Sequence, residues 1–122
     1  AVGQISKIVS FLIDEDYLAA ADMITERLEN KTEALEPETY LPIFRRAGKI
    51  DHALELMKTA RLSRPNYPEL QLEHARLLLE KGETDKAKVE LEGVLSTWEK
   101  ADPDHLLNLE AEALATELGM EI

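Results

Sequence analysis

The chain has 122 residues, of which 44% are hydrophobic and 32% are charged, and it contains no Cys. This length suits one compact domain or a few small repeats, and the lack of Cys excludes disulfides, thiolate metal sites and a Cys nucleophile. Because 25 Asp and Glu outnumber 14 Lys and Arg, the net charge is −11, which disfavours binding to nucleic acids and to anionic membranes.

Apolar residues recur at helical spacing along the whole chain, and no segment alternates as a strand does. This pattern predicts seven helices, at about 4–14, 17–30, 37–47, 50–64, 68–81, 84–101 and 102–118. Pro37 suits a first helical turn, whereas Pro42 removes a backbone donor, so we expect a kink or a later start there. We expect Asp102 to cap the seventh helix, Pro103 to lie in its first turn, and Gly119 to follow its end.

The first predicted helix is apolar over about 200° of its circumference, although a helix packed on one side needs only about 100°. The apolar residues are Val2, Ile5, Ile8, Val9, Phe11, Leu12 and Ile13. The surplus suggests a second packing partner, which is a second copy of the chain, another domain or an upstream region. Alternatively, the second and fourth helices bury both sides. For a second copy, the residues of self-association are Ile5, Val9 and Leu12.

A skeleton of small and apolar residues recurs after 34 positions in the middle of the chain. Gly48 aligned with Gly82 places Ala53 on Ala87, and it also places Met57 on Leu91 and Ala60 on Val94. We expect the glycines to end helices in a left-handed conformation, while the alanines let paired helices approach closely. Helix pairs with short turns at a period near 34 predict antiparallel hairpins that stack as a solenoid.

In this pattern the chain resembles the tetratricopeptide repeat family. The resemblance is carried by Leu41, Phe44, Gly48, Ala53, Met57, Ala60 and Pro65, by Ala75, Leu78, Gly82, Ala87, Leu91 and Val94, and by Ile8, Phe11 or Leu12, Ala20, Ile24 and Leu28. In the first repeat Glu15 stands in the glycine's place. The resemblance implies an all-α fold: a right-handed superhelical array of three antiparallel helix hairpins plus a C-terminal capping helix. We expect one domain over 1–122, with repeats at about 2–34, 35–67 and 68–101 and the capping helix at about 102–118.

The resemblance also implies that the first helix of each pair lines a concave groove for a peptide or partner segment. Family geometry places in this groove Arg45, Arg46, Arg76, Glu38, Leu72 and Leu79. Two guanidiniums can hold a carboxylate bidentately beside apolar contacts, although the arginines can equally form surface ion pairs worth less than about 1 kcal/mol each. The subfamily that clamps chaperone C-termini needs Lys and Asn where this chain has Glu38 and Leu72, so that ligand is not expected.

No constellation of residues predicts catalysis or metal binding. The three histidines, His52, His74 and His105, lack the short spacing of a zinc motif, and His74 falls on the inner face of its helix, where we expect a hydrogen-bonded structural role. We therefore predict no enzyme activity, no cofactor and no metal. No apolar run approaches the length of about 18 residues that spans a bilayer, and no signal peptide is visible, so we expect a cytoplasmic protein.

The predicted function is a non-catalytic protein–protein interaction module that binds a protein or peptide in its groove. The alternative is a structural or self-assembly domain of a larger protein that packs through its apolar first helix, as a homodimer or against an upstream region. An accessory domain of a larger enzyme is a third reading with the same exposed apolar surface.

Overall fold

A computed structural model describes residues 2–30, 36–98 and 106–120 of the chain. The regular structure of these residues is helical throughout, without strands. The helices are α1 (Val2–Ile13), α2 (Tyr17–Glu29), α3 (Pro37–Arg46), α4 (Ile50–Ser63), α5 (Pro68–Lys81), α6 (Thr84–Trp98) and α7 (Leu106–Glu117). The predicted all-α fold is confirmed, and α5 has the predicted bounds. The predicted extension of the sixth helix past Trp98 and the predicted caps Asp102 and Pro103 lie outside the described residues.

Pro42 neither delays nor ends α3, because the helix begins at Pro37 and continues through Pro42 to Arg46. A later start, one of the two predicted effects of Pro42, is therefore wrong, and the other, a kink, stays a prediction. Pro37 occupies the first turn, where a missing N–H costs nothing because the first N–H groups of a helix have no intrahelical partner. Pro42, one turn deeper in the helix, cannot donate a backbone hydrogen bond. Burial of the neighbouring side chains compensates for this loss of stability; they are Tyr40, Leu41, Ile43 and Phe44.

The chain divides into two compact units, Ala1–Leu56 (unit 1) and Met57–Ile122 (unit 2). The boundary falls inside α4, so it does not coincide with the expected repeat boundaries, which stay a prediction, as does the superhelical arrangement.

Unit 1 is built by α2, which packs against both α1 and α3. Ala20 and Ala21 of α2 are fully buried, and small side chains at a helix contact let the helices approach closely. Phe44 of α3 is also fully buried, and its ring lies 6.0 Å from the Tyr40 ring in an edge arrangement and 5.1 Å from the His52 ring of α4. Burial of these apolar side chains drives the packing of the unit.

Unit 2 is centred on the hairpin of α5 and α6, and α7 packs on α6. The buried apolar residues of this unit are Met57, Leu70, Leu72, Ala75, Leu77, Leu78, Ala87, Leu91, Val94, Ala111 and Ala115. α5 is buried on most of its circumference, since Gln71 and Glu73 are also buried. α7 contributes only small buried residues among its described side chains, Ala111 and Ala115, which lie one turn apart on one face.

Four helices end in the same backbone turn. A residue just beyond the last helical residues has a left-handed conformation: Glu15 (φ 57°), Gly48 (φ 79°), Gly82 (φ 86°) and Gly119 (φ 72°). In each turn the next amide donates to the carbonyl five residues back: Asp16 to Phe11 (2.7 Å), Lys49 to Phe44 (3.0 Å), Glu83 to Leu78 (2.8 Å) and Met120 to Ala115 (2.9 Å). This is the Schellman arrangement, in which glycine is favoured. The predicted left-handed glycines are confirmed, and Glu15 adopts the glycine conformation.

Candidate functional site

Arg76 is the predicted binding residue that the structure places between two helices of unit 2. Its Nη2 lies 3.2 Å from Glu110 Oε2 of α7, and its Nη1 lies 3.8 Å from Glu73 Oε1 one turn earlier in α5. The Arg76 side chain is 31% exposed and that of Glu110 is 40% exposed. The guanidinium therefore lies on the side of α5 that faces α7, in a position that solvent reaches.

Leu72 and Leu79 have different environments, although both are predicted to offer apolar contact to a partner. Leu72 is fully buried, whereas Leu79 is half-buried. The prediction for Leu72 is therefore wrong: it belongs to the core, because α5 is packed on most of its circumference and its neighbours Gln71 and Glu73 are buried too. Of the two leucines, Leu79 alone keeps surface beside Arg76, from which it is three positions away along the helix.

Arg46 of unit 1 is exposed and contacts α2. Its Nη1 donates to the Tyr17 hydroxyl at 3.1 Å, and its guanidinium carbon lies 5.5 Å from the centre of the Tyr17 ring. Arg45 and Glu38 are half-buried, and both take part in further interactions within the structure. Consecutive residues leave a helix about 100° apart, so Arg45 and Arg46 start from different faces of α3. Whether any two of the predicted arginines bind one carboxylate stays a prediction.

Three polar side chains from α4, α5 and α6 form a cluster in unit 2 that the sequence did not predict. Arg61 of α4 donates from Nη1 to Glu90 Oε2 of α6 at 2.8 Å and contacts His74 Nδ1 of α5 at 3.0 Å. The Nε and Nη2 of Arg61 also donate to the Pro65 carbonyl, at 3.1 and 2.8 Å. The contact of Arg61 with the Pro65 carbonyl has a sequence signal. Arg61 lies in the last turn of a helix shortly before Pro65, and an Arg near a helix C-terminus can bond free carbonyls.

This cluster is structural in character. Burial lowers the pKa of His74, the Glu90 carboxylate raises it, and Arg61 lowers it, with a net lowering. The lowered pKa favours the neutral imidazole, whose Nδ1 accepts the hydrogen bond from Arg61 Nη1. The predicted hydrogen-bonded role of His74 is confirmed by this contact. Arg61, His74 and Glu90 are each about one-fifth exposed, so they crosslink helices rather than present an open reactive group.

The described part of the chain contains no group of three or more His, Asp or Glu side chains that could hold a metal ion. In the same residues, no helix combines the length and the apolar character that crossing a bilayer requires.

The residues predicted for self-association lie in α1 of unit 1. Val9 is exposed, Leu12 is half-buried, and the side chain of Ile5 lies outside the described side chains. Ile8 is buried in the unit. One end of this helix therefore keeps apolar surface, which continues to Ile13.

A comparison with protein families matches the family model described as tetratricopeptide repeat to residues 44–113, more than half of the 122 residues. No curated protein and no solved structure gives a significant match. The matched span includes Gly48, Ala53, Gly82 and Ala87, the residues whose spacing defines the 34-residue period.

Proposed function

The chain belongs to the tetratricopeptide repeat family, and from this premise we propose that it is a non-catalytic module that binds a protein or peptide along the first helices of its repeats. Repeats of this family are generally protein–protein interaction modules. In unit 2 the proposed site is the face of α5 that carries Arg76 and Leu79. In unit 1 it is the face of α3 that carries Glu38 and Arg45.

The observation that supports this proposal is the ion pair of Arg76 with Glu110. Both side chains are partly exposed, and exposed ion pairs contribute about 0–1 kcal/mol because water screens them. A carboxylate of a partner can therefore replace Glu110 at little cost. It would meet a planar guanidinium that binds carboxylates bidentately. The half-buried Leu79 supplies adjacent apolar surface.

The test is a selection of short random displayed peptides on the wild-type chain, followed by calorimetry of a selected synthetic peptide with Arg76→Glu and Lys86→Glu. Lys86 is a matched control because it also forms an exposed ion pair, with Glu83 at 3.3 Å, but on the second helix of its hairpin. Both substitutions change the net charge equally. We expect Arg76→Glu to weaken binding about tenfold or more and Lys86→Glu to change it less than about twofold.

Arg76→Gln keeps the size of the site without adding a negative charge, and it should weaken the same peptide in the same direction. A circular-dichroism melt of each variant establishes that it is folded. If Arg76→Glu and Lys86→Glu weaken the peptide equally, long-range charge explains the binding and the proposed site is wrong. The same conclusion follows if no peptide is selected.

Self-association through α1 is a second candidate, supported by the exposed Val9 side chain. Light scattering over a wide range of concentration measures the mass of the chain in solution. A dimer that Val9→Glu abolishes, while the exposed α6 residue Val89→Glu leaves it intact, supports this candidate. A monomer at every concentration rejects it.

A further inference from the structure

Three large apolar side chains of unit 1 are exposed near the turn between α1 and α2. Ile13 is 77% exposed, Leu18 is 54% exposed and Val9 is 49% exposed. Val9 and Ile13 are four residues apart, so they lie on one face of α1, and Leu18 is the second residue of α2. Single exposed apolar residues are ordinary, whereas contiguous apolar surface marks an interaction site, and Val9 and Ile13 are neighbours on α1.

Three acidic residues lie in the turn between these apolar side chains. Asp14, Glu15 and Asp16 are all exposed and lie between Ile13 and Leu18 in the chain. Asp16 caps α2, since its Oδ1 accepts a hydrogen bond from the Ala19 amide at 3.2 Å. Within the described residues, the side chains of Asp14 and Glu15 have no hydrogen bond or ion pair. These two carboxylates are therefore available to a partner without breaking any contact of the described residues.

The charge of the surface decides which occupant fits it. A second copy related by a two-fold axis would bring the same carboxylates of both chains toward each other, and like charges across an interface are unfavourable. The copy would also carry a net charge of −11 against −11. A partner with Lys or Arg beside apolar side chains has the opposite charge and satisfies both parts of the surface.

We infer that the surface formed by Val9, Ile13, Leu18, Asp14 and Glu15, here called the α1–α2 surface, docks a basic amphipathic segment of a partner protein. The apolar side chains contribute affinity by leaving water, and the carboxylates contribute orientation and a faster approach. This inference does not rest on the site at Arg76. The Arg76 site lies in unit 2, and it would bind an acidic partner rather than a basic one.

The probe is a fluorescent synthetic helical peptide of Leu and Lys with all leucines on one face, and fluorescence anisotropy measures its binding to the intact chain. A scrambled peptide of the same composition controls for attraction of any cation to an acidic chain. Two variants remove the two parts of the surface: Ile13→Ser and the double variant Asp14→Asn, Glu15→Gln.

The matched control is a face of α6 in unit 2. Asp85, Val89 and Glu92 are exposed, and their spacing of four and three residues places them on one helix face. Val89→Ser matches Ile13→Ser in removing an exposed β-branched side chain. The double variant Asp85→Asn, Glu92→Gln matches the change in charge.

We expect Ile13→Ser to weaken the amphipathic peptide about tenfold, because a largely exposed Ile side chain would be buried in the complex. We expect Asp14→Asn, Glu15→Gln to weaken it about fivefold, with a smaller loss at high salt. The α6 controls should stay within about twofold of wild type, and the scrambled peptide should bind about tenfold more weakly than the amphipathic one.

Three outcomes would overturn the inference. The first is no binding of the amphipathic peptide, and the second is equal binding of both peptides or equal losses in the α6 controls, which indicate attraction by net charge alone. The third is a dimer in light scattering that Ile13→Ser dissociates, which makes the occupant a second copy. Arg76→Glu should leave the amphipathic peptide bound, so failure of the proposed function and failure of this inference are distinguishable.

Discussion

Replacing Glu15 by Gly should stabilise the protein, although it removes a whole side chain. Glu15 has φ 57° in the turn where the corresponding residues of three other helices are glycines. A left-handed conformation costs a non-glycine residue about 1–2 kcal/mol, and glycine offsets about 0.4–1 kcal/mol of this by adding freedom to the unfolded chain. The expected net gain is about 0.5–1 kcal/mol, or about 2–4 °C in Tm for a chain of this size.

Thermal unfolding followed by far-UV circular dichroism measures the shift in Tm, and hydrogen exchange of the α1 and α2 amides locates it. Glu15→Gln controls for the lost charge, since it keeps a side chain on the left-handed backbone, and it should change the free energy of unfolding by less than about 0.5 kcal/mol. Gly82→Ala is the reverse control. A Cβ at Gly82 meets nothing within 4 Å, so the expected loss of about 1 kcal/mol comes from the backbone alone.

A Tm of Glu15→Gly equal to or below that of wild type, alongside a clear loss in Gly82→Ala, would refute this reasoning. It would mean that the Glu15 side chain contributes folding energy that compensates for its backbone conformation.

Three further predictions concern buried or partly buried residues of unit 2, two of them compared with a more exposed residue of the same type. Burial lowers the folded pKa of His74 below the unfolded value of about 6.5, so the unfolded chain binds more protons there and stability falls as pH decreases from about 6.5 through the folded pKa. Urea unfolding of His74→Gln across this interval should lack that part of the pH dependence, and an identical dependence in both proteins contradicts it. Arg61→Gln should lower the free energy of unfolding by about 1–3 kcal/mol, because it breaks several charge-assisted hydrogen bonds at partly buried atoms. Arg46→Gln, at an exposed contact, should lower it by less than about 1 kcal/mol. Equal losses in urea unfolding would show that the contacts of Arg61 add no stability. Leu72→Ala should lower the free energy of unfolding by about 2–5 kcal/mol. Leu79→Ala should lower it clearly less in the same urea assay, because Leu72 is fully buried and Leu79 is not. The opposite order would show that Leu72 is not part of the core.

The helices and their turns could be predicted from the sequence because local signals set them. Periodicity gives the helix interiors, and the position of a left-handed residue gives the helix end. Alignment of the repeats places Glu15 in the glycine's position, and its backbone has the left-handed conformation of the glycines. Pro42 is the exception, since burial of the residues around it keeps α3 continuous. Tertiary packing there overrides a local preference.

Side-chain directions at the candidate site could not be predicted to the same degree. Family geometry places Leu72 on an accessible face, but burial depends on how many neighbours surround α5, and periodicity along one helix does not encode that number. The Arg61, Glu90 and His74 cluster joins residues from three helices. No spacing within one helix reveals such a contact.

The distribution of charge in the structure favours the α1–α2 surface over the α5 face in an encounter with a partner. Several cations of the described residues pair with carboxylates of another segment. Lys49, in the turn before α4, lies 2.7 Å from Asp22, Arg61 lies 2.8 Å from Glu90, and Arg76 lies 3.2 Å from Glu110. A carboxylate that binds Arg76 must first displace Glu110, whereas a cation that approaches Asp14 breaks no side-chain contact among the described residues.

Since net charge steers association before any contact forms, a chain of charge −11 attracts a basic segment and repels an acidic one. Raising the salt concentration should therefore slow association at the α1–α2 surface and speed it at Arg76. The opposite signs of these two salt dependences, measured by stopped-flow fluorescence with the two peptides, separate the surfaces without any substitution. The same sign for both would show that local ion pairs, rather than the overall charge, control how partners approach.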